Sequence, residues 1–114
     1  MPRTPPELLQ GTVDVLILRA LAWKAMHGYT ISQWIGERSR DVLAIEGAAL
    51  YQALHRLERR KLVSSYWGAS ENNRKAKFYE LTAAGKKRLR QEQEDWQRLA
   101  AAMSSVLAAE PGEV

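Results

Sequence analysis

Between Glu46 and Leu62 the order of apolar residues leaves this chain few choices. Placed on a helix at about 100° per residue, Leu50, Ala53, Leu54 and Leu57 fall into one stripe. The opposite side carries Ala48, Gln52, His55 and Arg59, with Tyr51 and Arg56 on its flanks. No acid lies there, and Glu58 sits nearer the stripe. A surface helix usually mixes acids and bases on its outer face. This one instead offers amide, imidazole, phenol and guanidinium groups, which can reach base edges and phosphates in a major groove. Taken alone, the helix is read equally well as an ordinary solvated face.

The next twenty residues add weight to the groove-binding reading. Val63-Ser-Ser-Tyr-Trp67 is rich in β-formers, Gly68 to Asn73 is a turn-type stretch, and Lys77-Phe-Tyr-Glu-Leu81 is a second strand. Arg74, Lys75 and Lys77 gather cations where the loop meets that strand. A helix followed by a hairpin with a basic tip is the layout of a winged helix-turn-helix. One helix then enters the major groove while the wing lies along the backbone.

Upstream, three prolines in residues 1–6 predict an extended arm. A helix is expected from Glu7 to about Ala25, its regular part starting at Gly11 or Thr12. Its apolar face holds Leu9, Val13, Leu16, Ile17, Ala20 and Leu21, and Val15, Leu18 and Ala22 widen it. So wide a face implies burial from two sides, by its own domain and by a second subunit. Met26 to Arg38 reads as a turn and then a helix with Ile31, Trp34 and Ile35 inward. Gly47 is the expected N-cap of the key helix. Tyr29 is expected to pack beneath that helix, with a direct DNA contact as its alternative reading.

Downstream of the wing, Thr82 is the expected N-cap of a last long helix. Gly85 weakens its first turn by about 1 kcal/mol relative to alanine. Leu89, Trp96 and Met103 recur every seven residues, with Leu99 and Val106 at the second seam position and Glu92 interrupting near the start. A domain this small cannot cover so long a helix, which therefore calls for a symmetry mate. The expected organisation is mainly α with a small β-hairpin. A winged helix-turn-helix spans residues 1–82 with residues 1–6 as a flexible arm, a dimerisation helix spans 83–109, and a disordered tail follows over 110–114.

A length of 114 residues suits one domain with a small core, and a formal charge of +4 suits a polyanion. Cysteine is absent, which excludes disulfides, thiolate metal sites and cysteine nucleophiles. Met1-Pro-Arg-Thr-Pro-Pro6 runs into an acid rather than an apolar stretch, so a cytoplasmic protein is expected. The apolar run of the first helix is too short to span a bilayer and is interrupted by Asp14, Arg19 and Lys24, so no membrane span is expected either. Only two histidines occur, His27 and His55, on separate elements, and no metal cluster, phosphate loop or carboxylate pair is legible. No enzyme, metal or cofactor is expected.

With helix and wing in view, the chain resembles the PadR family of bacterial transcriptional regulators over about residues 8–108. The likeness rests on Leu8-Leu-Gln-Gly-Thr-Val-Asp-Val-Leu-Ile-Leu18, Met26-His-Gly-Tyr29, Leu50-Tyr-Gln-Ala-Leu-His-Arg-Leu-Glu58 and Asn72-Asn-Arg-Lys-Ala-Lys-Phe-Tyr-Glu-Leu-Thr82. A single helix after the wing resembles the short subgroup. The resemblance implies a homodimeric repressor of detoxification, efflux or stress genes, often autoregulatory, that binds operator DNA and is released by a small molecule. The implied DNA side comprises Ala49, Tyr51, Gln52, His55 and Arg59 with Asn73, Arg74, Lys75 and Lys77. The heptad seam Leu89, Trp96, Leu99, Met103 and Val106, with Leu9, Val13 and Ile17 of the first helix as its cross-subunit partners, is the expected dimer interface. Ala48-Ala49 and Gln52 depart from the family's common Gly-Ser or Gly-Thr and Pro, removing a hydroxyl at the helix start. Lys24-Ala25 likewise replaces a common Gly-Pro.

Trp96 has two readings. It fills the dimer core, or it faces its mate across a gap that sandwiches a planar aromatic effector. The function also has two: a DNA-binding regulator, or a winged-helix interaction module that has lost specific DNA binding.

Overall fold

Helix α1 (Gln10–Trp23) is the element on which the others are assembled. In the computed structural model, which describes residues 10–112, it touches α2, α3, α4 and strand β3. The expected arm over residues 1–6, with Leu9, lies outside the described residues. Val13, Ile17, Leu18, Ala20 and Leu21 are buried within the chain itself, and Ile17 is 0 % exposed. The breadth of this face therefore reflects several neighbours from one chain, and no second subunit is needed to cover its centre. Gly11 and Thr12 both lie inside the helix, so neither starts it.

Helices α2 (Gly28–Arg38) and α3 (Gly47–Arg59) form the helix-turn-helix. Ile31 and Ile35 of the first meet Leu50, Ala53, Leu54 and Leu57 of the second in one core. Between them Arg40 (φ 54°) and Asp41 (φ 63°) turn the chain through left-handed backbone, and the Ser39 hydroxyl accepts from the Leu43 amide at 3.0 Å. The N-cap of α3 is Glu46, whose carbonyl accepts from Leu50 N at 2.9 Å, and Gly47 is already helical. The capping position thus lies one residue earlier than its sequence suggests, within the usual uncertainty of helix ends.

The wing pairs β2 (Val63–Ala69) with β3 (Lys75–Leu81), antiparallel, from Val63 opposite Leu81 to Ala69 opposite Lys75. A third strand, β1 (Met26–His27), stands where the sequence reads as turn. It adds to the free edge of β3 in the order β1-β3-β2, with Met26 opposite Tyr79. The sheet is therefore anchored to the body at its rear, because Met26 and Tyr79 are both core residues.

Helix α4 (Ala83–Leu107) opens as expected, the Thr82 hydroxyl accepting from Gly85 N at 3.0 Å. That hydroxyl also donates to the Lys61 carbonyl at 2.7 Å, and Thr82 N donates to the Leu62 carbonyl at 3.1 Å. Gly85 is not a concession in this turn. A Cβ there would overlap the Leu62 carbonyl oxygen, so glycine is what lets the helix start against the foot of the wing. Gly85 and Leu89 are buried; beyond them α4 leaves the body, and the chain measures 60 × 38 × 20 Å along its principal axes.

Candidate nucleic-acid interface

The stripe that sinks α3 into the core necessarily turns Ala48, Ala49, Gln52, His55 and Arg59 outward, and all five are exposed. Tyr51 is half-exposed at the edge of this face. Its hydroxyl lies so close to Gly28 that a Cβ there would collide with it, so the ring rests on the start of α2 while one side stays open. Arg56 departs from expectation. Its Nη2 donates to Asp14 of α1 at 2.8 Å, and both side chains are largely covered, so this guanidinium is directed into the body. Nothing near Arg56 in the sequence signals a partner 42 residues away.

At the wing, Ser70 and Arg74 close the turn, Ser70 N donating to the Arg74 carbonyl at 2.8 Å, with Asn73 at φ 59°. Asparagine tolerates that left-handed geometry better than most residues. Asn73, Arg74 and Lys75 are exposed. Lys77 differs from them: its Nζ lies 3.7 Å from Glu58 and over the Tyr79 ring, so its charge is already matched by the protein. Glu58 also accepts from the Ser65 hydroxyl. Burial first, then Glu58 and Tyr51, raises the Tyr79 phenol above its usual value of 10.0.

Two aromatic residues of this surface are more open than the sequence suggests. Tyr29, expected beneath α3, is 68 % exposed, and Trp67 is 62 % exposed. Trp67 shares a strand face with buried Val63, but the wing projects past the body there and none of the described residues covers its outer half. Together with Tyr51, His55, Lys75 and Lys77, these two line an open cleft between α3 and the wing. The Lys75 ammonium sits 5.1 Å from the centre of the Trp67 ring.

The expected dimer seam divides. Ile17 is fully enclosed and Val13 and Leu89 nearly so, which gives all three a place in the chain's own core. Ile17 has no surface left for a partner, and its assignment to the seam is corrected. Trp96 (51 %), Leu99 (52 %), Met103 (52 %) and Val106 (75 %) are open. Trp96 and Leu99 also border a groove against Gly11, Thr12 and Val15 of α1, with Glu92 and Asp95 at its rim. Glu92, the break in the heptad pattern, pairs with Arg88 at 2.9 Å. Among the described residues no three His, Asp or Glu side chains gather as a metal site, and no helix is long and apolar enough to cross a membrane.

Comparison with known proteins agrees with this arrangement. The model of the "Transcriptional regulator PadR-like family" matches residues 17–91, well over half of the chain. A relative from Lysinibacillus sphaericus, itself described only as an uncharacterized protein, is 33% identical over 90 residues, which are 79% of this chain and 83% of the relative. The crystal structure of a PadR family transcription regulator from Clostridium difficile is 30% identical with a TM-score of 0.72, covering 84% of this chain and 98% of that one. A structure from Streptococcus mutans, 23% identical, covers 97% of this chain and all of its own with a TM-score of 0.82, a likeness of fold alone.

Proposed function

The chain belongs to the PadR-like family of transcriptional regulators, and from that premise we propose that it acts in the cytoplasm as a homodimeric repressor of an inverted-repeat operator. One observation carries the reading: the outward side of α3 holds no acid and continues directly into the exposed cations of the wing. Gln52 and His55 are the groups for base edges, and Arg59, Asn73, Arg74 and Lys75 those for phosphates. Ala49 contributes a small contact surface where a hydroxyl is absent. Lys77 serves by holding Glu58 away from the DNA side.

In this reading Trp96, Leu99, Met103 and Val106 pair with the same residues of a second copy. Labour divides at Thr82, with DNA reading before it and dimerisation over residues 83–109. The groove beside Trp96 then becomes a cavity shared by two subunits. A flat aromatic compound can stack on the indole there, and the nearby Asp95 favours one bearing positive charge.

The test is a mobility-shift titration with duplex from upstream of the protein's own coding region, against scrambled duplex of equal length. Selective retardation by a dimer supports the proposal. Binding to neither duplex would instead leave the winged helix as an interaction module, a reading the Ala48-Ala49 start of α3 permits. Planar aromatic cations should quench Trp96 fluorescence and weaken the shifted complex. No quenching and no change in the shift would make Trp96 a core residue of the dimer.

A further inference from the structure

A helix lying in a major groove and a wing resting on the adjacent minor groove are separated by one sugar–phosphate strand. If α3 reads the groove as proposed above, on which this inference rests, that strand must pass through the cleft between α3 and the wing. The chemistry of the cleft is unusual for a phosphate channel. Tyr29 and Trp67, among the most exposed aromatic residues of the described chain, both line it, one at the start of α2 and the other on β2. Tyr51 and His55 add two further rings from α3. Of its two lysines, Lys77 is matched by Glu58, and Lys75 lies over the Trp67 ring with no ion pair among the described residues.

An exposed indole beside an exposed phenol would be a liability in water, but a deoxyribose strand offers both something to pack on and something to bond. The sugars present apolar edges to a flat ring, and the phosphate oxygens accept from a phenol O–H or an indole N–H. The Lys75 ammonium over the Trp67 ring favours a fixed orientation for that side chain before any DNA arrives. We propose that Tyr29 and Trp67 are DNA-contacting residues that hold the phosphodiester strand between the two grooves chiefly through neutral donors and ring packing, with Lys75 as the one cation of the cleft committed to it.

This has a thermodynamic signature that charge contacts lack. Each phosphate neutralised by a cation adds about 0.9 to the steepness of log affinity against log salt, whereas a neutral hydrogen bond releases no counterion. Affinities of Tyr29→Phe, Trp67→Phe and Lys75→Ala are measured against wild type on the upstream duplex and a scrambled one, from low to moderate salt. Circular dichroism confirms folding, which these exposed positions should not disturb. The two aromatic substitutions should each weaken both duplexes by about 3–10-fold, the worth of one hydrogen bond, with the salt slope unchanged. Lys75→Ala should flatten the slope by about one unit. Unaltered affinity in both aromatic variants overturns the proposal, as does a loss confined to the upstream duplex, which would mean base reading. These outcomes leave the regulator reading intact. A wild-type protein that binds neither duplex removes that reading, and the cleft assignment falls with it.

Discussion

Helices α3 and α4 each carry a long face that the described residues leave uncovered, and the two faces are chemical opposites. On α3 the open side is Gln52, His55 and Arg59 beside two alanines; on α4 it is Trp96, Leu99, Met103 and Val106. Both are amphipathic helices, but α3 has its apolar stripe inside the domain and α4 keeps most of its stripe outside. Exposure by itself therefore says little about a partner. The polar face suits a surface of phosphates and base edges, whereas the apolar one is satisfied by another apolar face, which a twofold partner supplies from the same sequence.

The sharpest way to break this contrast is to make the second face resemble the first. Met103→Asp sets a carboxylate in the middle of the proposed seam, where the dimer would bury it without a counter-charge. The dimer should dissociate at micromolar concentration and operator binding should vanish, although no DNA-facing residue has changed. Sedimentation and mobility shift check the two consequences, and a variant that stays dimeric refutes the seam.

The next largest effect concerns the joint between the two regions. Gly85→Ala forces a methyl group into the Leu62 carbonyl. It should destabilise the fold by about 2–3 kcal/mol by overpacking, lowering Tm by roughly 10 °C. Local propensity gives the opposite sign, a gain of about 1 kcal/mol for alanine in a helix. Thermal denaturation decides which effect wins.

That reversal shows where the sequence stops being legible. The four helices, the wing hairpin and the capping role of Thr82 follow from period, turn residues and propensity, all of which act between near neighbours. Strand β1 is two residues long, too short to have a period, and exists because β3 offers it a free edge. The Arg56–Asp14 pair, the enclosure of Ile17 and the need for glycine at 85 all depend on chain brought from elsewhere. The outward residues of α3 are legible because an inward stripe fixes the opposite side. Tyr29 and Trp67 are not, since their exposure comes from body that ends before it reaches them.

Smaller effects refine the polar side of the comparison. Gln52→Ala or His55→Ala should cost roughly 1–3 kcal/mol on operator DNA if either makes a good base contact, with little loss on random duplex. Equal loss on both would remove α3 from the groove. Arg74→Ala, at the wing tip, should be the mildest. It should weaken all sequences alike and reduce the salt slope by about one unit, read from affinities over a salt series.

The bonds joining Lys61 and Leu62 to Thr82, with Gly85 pressed against the same carbonyl, make the end of α3 and the root of α4 one solid corner. In the proposed dimer such a corner works as a caliper. Helix α4 has 25 residues, a lever of about 37 Å at ~1.5 Å per residue. A change of about 10° in how two such levers cross, about 5° for each, moves the far end of each by about 3 Å, close to the ~3.4 Å step between neighbouring bases on a strand. A compound wedged beside Trp96 would then need to alter only that angle for the two reading helices to lose register with their half-sites.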